Sequence, residues 1–257
     1  MGGQSLEIIC EYDMELDIFL KEVVKYTIEI YDNELCLDSL QKIELRNIKE
    51  FGYDTDGKTL EDGTIIWVTS RLYEKLPSYN IKEIEDNTNF IMIVNTLFHE
   101  MGHVTDWLVM PKLYNAALNM NDKKSMFAAL FWLEYFAEKR SSSNGRGNGS
   151  EYCDDFVKRP WKAYKVDFEI CTDDNFFYLN KTLSYFMGRT VEIDIRKKYM
   201  AVIINELLKE YIEELDVELK RLEGKMPFDE VSELEQLYNI MNNYYKKFKQ
   251  KYAPAKF

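Results

Sequence analysis

Apolar positions recur at helical spacing over Glu15–Tyr31 (ELDIFLKEVVKYTIEIY), which predicts a helix. Gln41–Ile48 sets Ile43, Leu45 and Ile48 among charges and fits either a strand or a short helix. Asp56-Gly57 and Asp62-Gly63 are turn signals around Thr64–Thr69 (TIIWVT), whose β-branched and aromatic content predicts a strand. Pro77 separates this region from a helix starting at Ile81. A further apolar run, Asn89–Phe98, predicts a helix packed on a core, with Asn87 or Thr88 as its N-cap. After it, Met126–Leu133 is apolar throughout.

Ser141–Ser150 (SSSNGRGNGS) is rich in small residues and reads as a linker or a loop beside a cleft. The remainder is helical in pattern: an aromatic-rich Asn175–Phe186, a long amphipathic stretch over Ile193–Leu222, and a repeat of it over Asp229–Tyr252 after a Pro227 turn and an Asp229 cap. The last two predict an αα-hairpin packed on the rest, with a coiled-coil dimer arm as the alternative. The chain therefore reads as α+β: a mixed half at 1–140, the small-residue segment at 141–150, and a helical subdomain at 151–257.

With 257 residues, 46% of them hydrophobic, the chain has material for a sizeable core and is not a disordered or low-complexity sequence. The formal net charge of −12 repels phosphate backbones, so no nucleic-acid partner is expected. No apolar run approaches the length of a membrane span. The N-terminal residues lack the basic and apolar regions of a signal peptide. Cys10, Cys36, Cys153 and Cys171 have no CxxC spacing. Together these predict a cytoplasmic protein with reduced thiols, two disulfides in a secreted protein being the alternative.

The chain has only two histidines, and both fall in one string, His99-Glu100-Met101-Gly102-His103. With histidine so rare, chance would produce HExxH in about one of several hundred such sequences. Residues four apart share a helix face, so His99 and His103 can aim imidazole nitrogens at one Zn²⁺ ion. Glu100 beside them can take a proton from an attacking water and return it to a leaving amine. Gly102 removes a side chain where something packs closely on the helix. A surface helix carrying two solvated histidines is the competing account.

A third histidine ligand is excluded, since Val109 stands where a metzincin places one. The remaining ligand is then expected to be a carboxylate, and Glu134 is the candidate, embedded among apolar residues 31 positions after His103. A carboxylate there is costly to bury unless a cation meets it. Glu138, one turn further on, and Asp106, three residues past His103, are candidates for accepting a ligand histidine's free N–H. Pairing of Glu134 with a neighbouring Arg or Lys, and simple exposure of Asp106, are the alternatives.

The combination of HEMGH with Glu134-Tyr-Phe-Ala-Glu138 resembles the gluzincin branch of zinc metallopeptidases. Within it, the string is most similar to the lethal-factor-like catalytic domains, whose pattern HExGHxxD…ExFAE is matched by His99, Glu100, His103, Asp106, Glu134, Ala137 and Glu138. The ImmA/IrrE family is similar more loosely. The resemblance covers about residues 60–140 and implies a zincin-like domain with a small mixed sheet and an active-site helix. It implies an endopeptidase in which His99, His103 and Glu134 hold Zn²⁺, and Glu100 activates a zinc-bound water. It also implies an edge strand that pairs with an extended peptide. Ile65, Ile66, Trp67 and Val68 are the candidates for that role, an ordinary internal strand being the other reading.

One departure stands out. Phe127 occupies the place where that group carries a tyrosine thought to stabilise the oxyanion. Tyr164, Tyr178, Tyr185 and Arg189 are the substitutes the sequence offers. The expected partner is a protein or peptide substrate, with the chain a monomer or a homodimer through its C-terminal helices. Two other functions stay open: an inactive zincin-fold regulator that binds proteins, and a helical interaction protein with an accidental motif.

Overall fold

The computed structural model describes residues 6–11, 13–31, 35–47, 56–60, 65–142, 171–191 and 193–252. Ile48, the Asp62-Gly63 turn, Thr64, positions 143–150 of the small-residue segment, Cys153 and Tyr164 lie outside them. The structure is α+β, and its described residues group into two compact units. One draws on Met1–Val109 and Arg140–Asn148, the other on Met110–Lys139 and Gly149–Phe257. Residues 110–139, expected to belong with the N-terminal half, thus fall with the C-terminal helices.

In the first unit, strand β1 (Glu7–Cys10) leads to helix α1 (Met14–Tyr31), one residue longer than the pattern predicts. The ambiguous segment after it is a strand, β2 (Lys42–Arg46). Its alternation buries Ile43 and Leu45 on one face. Glu44 is also buried, and is neutralised by Lys42 at 3.3 Å and Arg46 at 2.7 Å, the residues two before and two after it. Strands β3 (Gly57–Thr59) and β4 (Ile65–Thr69) complete a four-stranded sheet of order β1-β2-β4-β3. β1, β2 and β4 run parallel, whereas β3 pairs antiparallel with Ile66–Val68.

This order corrects the assignment of Ile65, Ile66, Trp67 and Val68 to a substrate-binding edge. β4 is internal, its main chain shared between β2 and β3, and β3 forms one sheet edge, β1 the other. The short, glycine-containing β3 takes the outer place that the longer strand was expected to hold.

Helix α2 (Ile81–Ile84) precedes the long helix α3 (Thr88–Val109). Asn87 caps α3, its Oδ1 accepting from the N–H groups of Asn89 at 2.9 Å and Phe90 at 3.3 Å. The apolar stripe of α3, from Phe90 and Ile93 through Leu97 and Met101 to Val104, joins Phe19, Leu20, Val23 and Val24 of α1 in one core with Ile43, Leu45 and Val68 of the sheet. Phe98 stacks on Tyr31 with ring centroids 3.7 Å apart. That core fixes the depth and rotation of α3, and with them the direction in which His99, Glu100 and His103 project.

The second unit is helical: α4 (Pro111–Leu118), α5 (Lys123–Ser142, whose last turn falls in the first unit), α6 (Asp173–Arg189), α7 (Ile193–Met200), α8 (Glu206–Glu223) and α9 (Glu235–Lys251). The stretch expected to be one long helix over 193–222 is broken between α7 and α8. Asn205 caps α8 by accepting from Leu208 N–H, and Ile204 before it is almost fully exposed. The Asp229 cap is also corrected. Its carboxylate accepts from Lys112 N at 2.8 Å and Leu113 N at 3.1 Å, so it caps α4 across more than a hundred residues of sequence, while α9 begins only at Glu235. α8 and α9 pack together as a pair, with Tyr211 and Tyr244 stacked at 4.6 Å. No helix among the described residues is long and apolar enough to cross a membrane. Cys10, Cys36 and Cys171 are free thiols.

Candidate metal centre

His99 and His103 stand one turn apart on α3, and their Nε2 atoms are 3.1 Å from each other. The rings are nearly perpendicular, at 85°. Two nitrogens each about 2.0–2.1 Å from a tetrahedral Zn²⁺ would be separated by about 3.3 Å, so the pair has the geometry of two corners of such a site. The helix backbone delivers this arrangement without distortion, because the four-residue spacing stacks the two side chains on one face.

Glu100 is buried. Edge strand β3 passes directly over it. The Thr59 hydroxyl lies 2.8 Å from Glu100 Oε2 and 3.0 Å from the Glu100 carbonyl oxygen. A β-carbon on Gly57 would fall 2.8 Å from Glu100 Cγ and 2.9 Å from Oε1.

Asp106 is completely buried. It receives a 2.8 Å hydrogen bond from Arg140 Nη2, and its Oδ2 lies 3.7 Å from His103 Nδ1, within ion-pair range. Burial alone would raise its carboxyl, but the charge of Arg140 and the neighbouring His103 outweigh that and hold it below the usual carboxylate range. What packs on Gly102 is the Arg140 guanidinium, whose Nη2 would be 2.8 Å from a β-carbon there.

On α5, Glu134 and Glu138 are both buried and one turn apart. Arg189 Nε donates to Glu138 Oε1, an ion pair that the sequence offered only as separate candidates. α6 approaches α5 closely enough at Gly188 that a β-carbon would fall 2.7 Å from Glu138 Cβ. Phe127 packs against Phe177, with centroids 5.6 Å apart. His99 and His103 lie in the first unit and Glu134 in the second, so the histidine pair is the part of the expected ligand set that one unit brings together.

Sequence reasoning missed Gly57, Thr59 and the role of Arg140. Gly57 carried a turn signal only, and Thr59 and Arg140 meet their partners across 41 and 34 residues of chain, where no local pattern reports. Searches of family models, curated proteins and solved structures found no match to this chain.

Proposed function

We propose that this chain is a zinc-dependent peptidase of gluzincin type, with His99, His103 and Glu134 as metal ligands. The observation that carries the reading is the His99–His103 Nε2 separation of 3.1 Å, with Glu134 the third ligand that the resemblance implies. Two imidazoles and one carboxylate are a donor set that Zn²⁺ accepts in hydrolytic sites, leaving a fourth position open. Bound there, Zn²⁺ would supply Lewis acidity, polarising a substrate carbonyl and lowering the pKa of a water. The protein's part is proton handling and orientation. Glu100 takes the proton of the attacking water at its carboxylate and delivers it to the leaving amine nitrogen. Asp106, charged and beside Nδ1 of His103, favours the tautomer that leaves Nε2 as the metal-facing atom. Glu138, held by Arg189, keeps α5 in register at the turn after Glu134.

The experiment is zinc titration and elemental analysis of wild type, Glu134→Ala and Glu100→Gln, with cleavage of a mixed-sequence peptide library. Glu134→Ala is expected to weaken zinc binding, and Glu100→Gln to keep zinc and lose cleavage. Zinc held at full affinity by Glu134→Ala would remove Glu134 from the ligand set. Phe127, which offers no hydroxyl where the resembled group has one, favours a second reading: an inactive zincin-fold regulator. Stoichiometric zinc with no cleavage of any library peptide would select it.

A further inference from the structure

We propose that edge strand β3 is the device that positions the Glu100 carboxylate, with Gly57 supplying the space and Thr59 the anchor. The catalytic consequence rests on the peptidase reading, while the positioning itself does not. Glu100 has two carboxylate oxygens and β3 addresses both. Oε2 accepts the Thr59 hydroxyl at 2.8 Å, and Oε1 occupies ground that any β-carbon at Gly57 would invade, since it would stand 2.9 Å away. Thr96 Cγ2, also 2.9 Å from that hypothetical atom, closes the same space from one turn earlier on α3. The hydroxyl's one proton is shared between Oε2 and the Glu100 carbonyl at 3.0 Å, so it ties the side chain to its own backbone as well as to the strand.

The strand is itself placed by pairing. Gly57 opposes Val68 and Thr59 opposes Ile66 in the antiparallel ladder. Just before it, Asp56 is clamped by both Arg71 Nε and, at 2.8 Å, Arg71 Nη2. A one-residue slip in that ladder would turn Thr59 to the opposite face of the sheet and leave a bulkier residue over the carboxylate. Positioning of Glu100 therefore depends on sheet register rather than on α3 alone. Thr59 is a positioning residue, with no contact to the reacting atoms required of it.

The test uses the full chain as wild type, Thr59→Val, Thr59→Ser, Glu100→Gln and Thr59→Val/Glu100→Gln. Metal-free protein is unfolded in urea, and zinc-loaded protein is assayed on the library peptide that wild type cuts fastest. In urea, the double-mutant cycle is expected to show a Thr59–Glu100 coupling of about fivefold in the unfolding constant. Thr59→Ser should stay close to wild type. In turnover, Thr59→Val is expected to lose about 10- to 100-fold in kcat with KM within about twofold, as misplacement of a catalytic group without loss of substrate binding predicts. Thr59→Ser should restore most of the rate, and Thr59→Val should add nothing to Glu100→Gln.

Absence of coupling would overturn the inference by showing that the two side chains do not act together. Thr59→Ser as impaired as Thr59→Val would overturn it by showing that the methyl group and not the hydroxyl matters. A wild type that cuts no peptide would remove the peptidase reading alone, and the urea cycle would then decide the positioning.

Discussion

The guanidinium of Arg140 lies against the backbone of Gly102, and the same nitrogen that would meet a β-carbon there at 2.8 Å donates to Asp106 at 2.8 Å. Gly102 and Asp106 are four residues apart on one face of α3, so a single side chain covers the first while neutralising the second. His103, between them in sequence, is therefore flanked by a fixed charge pair. The glycine in HEMGH is in this way tied to an arginine far along the chain.

Gly102→Ala is expected to be destabilising even though alanine is the better helix former by about 1 kcal/mol. The added methyl displaces Nη2, and the displaced nitrogen leaves a carboxylate with no access to water. A net loss of about 1–3 kcal/mol is expected in urea unfolding of the metal-free protein. Unchanged or increased stability would mean that the guanidinium swings aside and keeps Asp106 paired.

Arg140→Met removes the cation outright. Breaking a buried pair from one side costs about 3–5 kcal/mol, because the surviving Asp106 carboxylate has no solvent and keeps only the His103 imidazole at 3.7 Å. Asp106→Leu/Arg140→Met removes both charges and should recover most of that loss. Equal stability of the single and double variants, measured by denaturant midpoint at constant m-value, would contradict this account.

The sequence carried the elements whose signals are local. Helix α3 was legible with its Asn87 cap, because an apolar stripe and a capping residue lie within a few positions of each other. Helix α1 and strand β4 were legible on the same grounds, and so was the histidine pair. β3 was not, since three residues containing a glycine look like a turn until a partner strand is in place. The outer position of β3 is set by the pairing of Gly57–Thr59 with Ile66–Val68, a tertiary fact, and it removed β4 from the edge. Asp229 shows the same limit. Its place before a helix suggested a local cap, yet two N–H groups of α4 compete for its carboxylate more effectively. Glu138 likewise carried a motif position but no hint of Arg189.

Zinc added to chelator-treated protein should raise its thermal midpoint. At free zinc 100-fold above the dissociation constant, the gain for one site is about 2.7 kcal/mol. His103→Ala and Glu134→Ala should show little of that gain. Asp106→Asn should retain it at higher zinc, with affinity reduced about 10- to 100-fold, as expected when the group orienting a ligand histidine loses its charge. A midpoint indifferent to zinc in the wild type would count against the metal site itself.

Gly188 and Gly224 form a contrast that tests whether contacts at glycine can be read as energies. A β-carbon at Gly188 would fall 2.7 Å from Glu138 Cβ, 2.9 Å from Lys139 N and 2.9 Å from the Tyr135 carbonyl oxygen. Two of these three are main-chain atoms of α5, which cannot rotate away as Arg140 can. Relief requires α5 and α6 to separate, which sacrifices dispersion contacts along both and strains the Arg189–Glu138 pair. Gly188→Ala is therefore expected to cost about 2–3 kcal/mol, more than Gly102→Ala, despite the same gain in helix propensity. At Gly224 the nearest atoms would be 3.5 and 3.6 Å away, ordinary contact distances, and the backbone is already right-handed helical at φ −65°. There alanine narrows the unfolded ensemble without a clash and should stabilise by about 0.4–1 kcal/mol. Urea unfolding of the three alanine variants should rank Gly224→Ala above wild type, then Gly102→Ala, then Gly188→Ala. Reversal of the last two would show that helix separation is easier than displacement of one buried guanidinium.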